Sequence, residues 1–261
     1  MSNVLVSGHT SPRLPRPNPS LDADVPHAGA AHREAGRRPA PIRLASNGMR
    51  AFVALVFLGV AGFAPAQDYR LPFSGRWFVM QGGDTLNVNE HMRVTAQWYG
   101  VDFAKVGGPS LRAVVKTTGL SVTDFYSWGE PVLSPVDGEV IAIVDGLTDN
   151  ELGTKDENNP AGNHVAIRTA NNRYVYLAHL KRGSITVKPG QHVKSGQSIG
   201  NCGNSGNSDF PHIHMHAQDT ARFNSGTGQN IEFAGISVEM TGKQFHNVTW
   251  PLIRGMFVAN E

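Results

Sequence analysis

The run Pro211-His212-Ile213-His214-Met215-His216 sets an imidazole at every second position. On an extended strand alternate side chains share a face, with same-face Cα atoms about 7 Å apart. The three rings would therefore crowd together and repel if protonated. A metal ion or mutual hydrogen bonding holds such rings neutral. A polar face turned to solvent has the same spacing, but histidine is an uncommon choice for one. In a second segment, Tyr174-Val175-Tyr176-Leu177-Ala178-His179, the spacing makes His179 the last inward residue of a strand, just before the basic turn Lys181-Arg182. A lone strand-end histidine is usually structural, so His179 gains meaning only from its company. In a third, Tyr99-Gly100-Val101-Asp102-Phe103, a carboxylate sits inside an apolar run. An unpaired charge there is costly, and a metal ion or an arginine would relieve it. His164 and His192 read as exposed strand or turn residues, and His246 falls in a tail without a motif.

The surrounding pattern is one of short β-branched or alternating runs punctuated by Gly, Asn, Asp and Pro, which predicts an all-β chain with little helix. Strands are expected at Trp77 to Gln81, Tyr99 to Ala104, Pro131 to Leu133, Gly138 to Val144, His164 to Thr169, Tyr174 to His179, Ser198 to Asn201 and His212 to His216. The C-terminal stretch from Thr220 to Glu261 reads as a Gly-rich loop plus closing strands. The predicted fold is an antiparallel β-sheet sandwich, or a barrel-sandwich hybrid, forming a single domain over residues 67–261 with long loops. The segment VLSPVDGEVIAIV and the segment ITVKPGQHVKSGQSIG read as a pair, with Gly190 and Gly196 placed for tight turns that need positive φ. Biotin and lipoyl carriers share that pattern, but no turn here displays an equivalent of their modified lysine. The polar stretch from Gly146 to Gly162 reads as a solvated loop at the rim of the scaffold, placed to shape a groove. Cys202 is the single cysteine. It reads as a small side chain in a Gly-rich turn, with no ordered base beside it for thiol catalysis.

Taken together, the motifs between Tyr99 and Ala217 resemble those of the lysostaphin-like zinc endopeptidases of bacterial peptidoglycan. The supporting motifs are YGVD, PVDGEV, GNHVAI, YLAHL, VKPGQHVKSGQSIG and GNSGNSDFPHIH, in the family's order. The resemblance implies one zinc ion, with Asp102 and His214 as ligands and His179 and His212 as the catalytic pair. It also implies hydrolysis of a peptide bond by metal-activated water, with a peptidoglycan peptide as substrate. One position departs from the family pattern. Trp98 stands four residues before Asp102, where the family has its first histidine ligand, and indole does not bind zinc. His91, eleven residues before Asp102, would serve instead if the intervening chain doubles back as a hairpin. Gln97 is nearer in sequence but a poorer donor. His216, two residues past the expected ligand, would stand behind the site. The alternative from another class is a non-catalytic member of the same fold that binds peptidoglycan or regulates another cell-wall hydrolase, for which Trp98 speaks.

Met49-Arg50, the apolar run Ala51 to Phe63 and then Ala64-Pro65-Ala66 form a signal-peptide pattern over residues 49–66, with Gln67 as the first mature residue. The apolar run is shorter than the roughly 20 residues of a membrane-spanning helix, so no stable membrane span is expected after cleavage. The expected location is periplasmic or extracellular. Residues 1–48, rich in Pro, Arg and Ala, read as disordered or as lying upstream of the true start at Met49. Seven of the 23 Lys and Arg, and three of the 21 Asp and Glu, lie in residues 1–66, which leaves 16 bases against 18 acids. The overall charge of +2 thus reverses sign in the folded part, and nothing points to a nucleic-acid partner. Oligomeric state has no signal.

Overall fold

The computed structural model describes residues 68–261, so the expected signal segment and the stretch before it lie outside the described residues. Twelve strands follow in order: β1 (Trp77–Gln81), β2 (Val101–Lys105), β3 (Pro131–Leu133), β4 (Gly138–Val144), β5 (Asn163–Arg168), β6 (Tyr174–Leu180), β7 (His192–Val193), β8 (Ser198–Asn201), β9 (Ile213–Gln218), β10 (Phe233–Met240), β11 (Lys243–Trp250) and β12 (Phe257–Asn260). Ten of them form one antiparallel sheet in the order β11-β10-β12-β1-β2-β9-β6-β5-β4-β7, and β3 pairs with β8. Among the described residues the helical content is confined to short 3-10 turns. The all-β antiparallel expectation holds.

The core lies on one face of the central strands. Val101 and Phe103 of β2, Val175 and Leu177 of β6, and Ile213, Met215 and Ala217 of β9 all join it. Phe73 stacks on Trp77 at a ring separation of 4.5 Å and meets Phe103 edge-on at 5.0 Å. Burying each large apolar side chain contributes about 1.5–3 kcal/mol, which fixes the register of the strands between them. Register then decides the other face, because a slip of one residue would send every core side chain outward. Asp102 pairs across from His214, Ala178 pairs with His214 from the other side, and Tyr176 pairs with His216.

Two predicted boundaries move for a backbone reason. Tyr99 has φ 64°, so the chain is still turning there and β2 begins at Val101. His179 is not the end of its strand; β6 continues to Leu180, which is buried in the core. The connections after β6 and β7 behave as expected, with Gly190 and Gly196 at φ 83° and 85°.

Candidate metal and catalytic centre

β9 lies between β2 and β6, so its backbone is paired on both sides and its six residues are all buried. The apolar set Ile213, Met215 and Ala217 packs into the core, leaving His212, His214, His216 and Gln218 to the opposite face. Asp102 projects from β2 onto the same face. Its Oδ1 is 2.9 Å from His214 Nδ1 and 3.7 Å from His212 Nε2, and its Oδ2 is 3.4 Å from His91 Nε2. Burial alone would raise the Asp102 carboxyl, but the imidazoles of His91, His212 and His214 hold it well below the usual carboxylate range. Every ion-pair partner of this carboxylate among the described residues is a histidine.

His91 reaches the site from a 3-10 turn over Glu90–Arg93, followed by a second over Thr95–Gln97. The chain therefore doubles back through two tight turns and the left-handed Tyr99, where a hairpin was expected. Asn89 anchors the first turn. Its Nδ2 donates to Gly83 O at 2.7 Å and Gly100 O at 3.1 Å, which leaves Oδ1 as an acceptor. That oxygen is 2.8 Å from His91 Nδ1, so Nδ1 carries the hydrogen and Nε2 presents a bare lone pair to Asp102. Burial, the leading cause, pulls the His91 pKa down to about 4 against the opposing pull of Asp102. Gly100 admits the two rings, since a Cβ there would lie 3.3 Å from both His91 and His214 and 2.9 Å from Gln97 O.

His179 arrives by a different device. Period-two alternation along β6 puts Ala178, the partner of His214, on the histidine face and would send His179 to the other side. Its φ of 61° breaks the alternation. A left-handed conformation costs a non-glycine residue roughly 1–2 kcal/mol, and it brings the ring to 4.7 Å from that of His212. Such strain gathers at functional sites. His179 Nδ1 is 2.8 Å from Ser205 O, and His212 Nδ1 is 2.9 Å from Phe210 O. A carbonyl only accepts, so both rings carry hydrogen on Nδ1 and keep Nε2 as a free base. Burial first, then the neighbouring His212 and His214, drive the His179 pKa well below its ordinary value.

One ligand atom from each of His91, Asp102 and His214 lies within 4.8 Å of the others. Two nitrogens and a carboxylate oxygen make a donor set suited to zinc, and the buried carboxylate beside these imidazoles is a place where a cation would be well compensated. The residues fit the ion. Gln97 lines the same groove, but its amide donates to Asn224 Oδ1 at 2.6 Å. Trp98 turns its indole N–H to Met92 O. His216 lies behind His214, its Nδ1 2.9 Å from His214 Nε2.

The other histidines are elsewhere. His192 is exposed in β7 and His246 pairs with Glu261 on the surface. His164, expected to be exposed, is half-buried beside Phe223 and Tyr176 because the 220s loop covers it. Cys202 is buried, and burial pushes its thiol well up, so it is inert. An open groove of about 710 Å³ runs over the site; Phe78, Met80 and Phe210 give it apolar walls, and Arg93, Lys155 and Arg254 bring charge. Lys155 comes from the polar loop predicted to shape such a groove.

Residues 116–225 match Peptidase family M23, a stretch that holds His179, His212 and His214 and begins after Asp102. The chain is 28% identical over 146 residues to the peptidoglycan DD-endopeptidase ShyA of Vibrio cholerae serotype O1, covering 56% of this chain and 26% of that one. It is 35% identical over 86 residues to the peptidoglycan DD-endopeptidase ShyC of the same organism, covering 33% and 18%. The matched part is therefore about a quarter or less of the length of these relatives. Among solved structures, the catalytic domain of lysostaphin from Staphylococcus simulans aligns with 25% identity and a TM-score of 0.34, covering 59% of this chain and 86% of that one.

Proposed function

We propose that this chain, whose residues 116–225 match peptidase family M23, is a member of that family and an exported zinc endopeptidase that hydrolyses peptide bonds in peptidoglycan. The observation that carries this reading is the buried Asp102 carboxylate, met by bare nitrogens of His91 and His214 with two more free imidazole bases alongside. His91, Asp102 and His214 would hold the ion. Zinc bound there would polarise the scissile carbonyl and acidify a water molecule toward neutral pH. The chain's own residues do the rest. His179 and His212, each tied through Nδ1 to a backbone carbonyl, point Nε2 at the reacting groups. One accepts the proton of the attacking water and passes it to the leaving amine; the other, having taken a proton from solvent at Nε2 before the reaction, hydrogen-bonds to the developing oxyanion and keeps that proton through the cycle. The open groove lets an extended peptide lie across these rings.

The cell-wall substrate follows from what the printed names of the two Vibrio relatives say of those proteins. Export follows from the signal pattern over residues 49–66, and among the described residues no helix is long and apolar enough to cross a membrane. A second reading is favoured by Trp98: a non-catalytic member that binds peptidoglycan or regulates another hydrolase. His91 speaks against it, since it brings an imidazole to the cluster that Trp98 would leave short.

The test is digestion of purified cell wall with the mature chain, with and without a chelator, followed by mapping of new amine ends. New ends that vanish with the chelator and with His179→Ala are expected. A chain that contains no zinc and releases no ends from several wall types is the binding module.

A further inference from the structure

The histidine face of β9 does not stop at His214. Beyond it lie His216 and Gln218, both fully buried, and their hydrogen bonds run in one sense only. Gln218 Nε2 lies 2.7 Å from Thr220 O and 2.6 Å from Arg222 O. Both partners are carbonyls, so the amide cannot be turned round without setting its oxygen against two others. Gln218 Oε1 must therefore accept, and the atom it meets is His216 Nε2 at 3.2 Å. That nitrogen carries the hydrogen. The ring of His216 is stacked flat on Tyr176 at 5.1 Å, with Phe223 against it at 5.5 Å. Among the described residues it has no carboxylate partner in this apolar wall, and a single hydrogen on Nε2 completes the neutral ring. His216 Nδ1 is then an acceptor, 2.9 Å from His214 Nε2. His214 donates there through Nε2, which leaves its Nδ1, the atom 2.9 Å from Asp102 Oδ1, as the nitrogen a cation at the site would bind.

We infer that Gln218 and His216 are positioning residues that fix the tautomer of His214 and hold its Nδ1 lone pair ready for the metal. The inference rests on the zinc reading above for its purpose and for the bare Nδ1 of His214, which faces a carboxylate unless a cation lies between them; the tautomer of His216 is set by Gln218 alone. Asn89 does for His91 in one step what Gln218 does for His214 in two. In each case a carboxamide locked by backbone carbonyls chooses the ring nitrogen that is left bare. Groups that orient metal-binding histidines in this way typically change metal affinity by about 10–100-fold when removed.

Nitrogen-15 NMR of the histidine rings reads the tautomers directly, in the metal-free and the zinc-loaded chain. Hydrogen on Nε2 of both His214 and His216 in the zinc-loaded chain is expected; hydrogen on Nδ1 of His216 overturns the inference. In Gln218→Met, which keeps the side chain's length and loses its acceptor, His216 should populate both tautomers. Zinc affinity, read by competition with a chromophoric chelator, should fall about 10–100-fold. Unchanged tautomers with unchanged affinity overturn it. If Gln218→Met does not fold, His216→Phe, which preserves the stack on Tyr176, takes its place with the same expected loss. A wild-type chain that takes up no zinc defeats the metalloenzyme reading, and the inference is then decided by whether Gln218→Met shifts the His216 tautomer in the metal-free chain.

Discussion

Asp102 and His214 sit on neighbouring strands as direct cross-strand partners, whereas His91 sits on a 3-10 turn whose residues are at most half-buried by the chain around them. The first pair cannot move without breaking β2 from β9, and every residue of β9 is buried. The third group is held by the hydrogen bonds of Asn89 and by the space that Gly100 leaves. Two of the three groups thus belong to the cooperative sheet, and the third hangs on one local capping arrangement. The lesson is that position and stability can be separated at this centre: the sheet part should be costly to alter, the turn part tunable.

The sharpest way to break that contrast is His214→Ala. Zinc content should fall to background and wall cleavage should vanish, with a loss of about 1–3 kcal/mol in unfolding free energy as a buried ring is removed. Metal analysis and denaturant unfolding report the two effects. Next in size, Asn89→Ala should weaken zinc binding about 10–100-fold. It should also destabilise the chain by about 1–3 kcal/mol, because Gly83 O and Gly100 O lose their donor. His91→Ala should reduce zinc affinity while shifting stability by only about 0.5 kcal/mol. If His91→Ala unfolds the chain as readily as Asn89→Ala does, the division between sheet and turn is wrong. Gly100→Ala should lower zinc affinity by pressing on the rings of both His91 and His214, and chelator competition would show it.

The smallest effect concerns acid. Burial lowers the His164 pKa, with the bond to Gly162 O opposing, so the folded chain resists a proton that the unfolded chain accepts below about 6.5. The unfolded state then binds more protons, and the stability that the neutral ring contributes is complete above that value. It drains away as pH falls toward the folded pKa. In His164→Phe the slope of unfolding free energy against pH should be shallower over that window, measured in metal-free protein.

Much of this was legible before any coordinates. Pro131–Leu133, Gly138–Val144 and Ser198–Asn201 run as their residue patterns predict, because Gly and Pro punctuation sets strand ends locally. The shared face of His212, His214 and His216 follows from period two alone. His179 was legible as a motif residue, but its route was not: alternation points it away, and only a positive φ returns it. The approach of His91 through 3-10 turns was also hidden, since it depends on Asn89 finding Gly83 O and Gly100 O across the fold. Gln218 had a signal that went unused. It continues the every-second-residue series of His212, His214 and His216 on the same buried face, where a polar side chain needs a partner.

The most direct measurement is an anomalous difference map at the zinc edge from crystals of the zinc-loaded mature chain. One peak is expected, about 2.0–2.1 Å from a nitrogen of His91 and of His214 and about 2.0–2.2 Å from an Asp102 oxygen. A peak elsewhere, or density that leaves Asp102 and His214 without a shared ion, would contradict it.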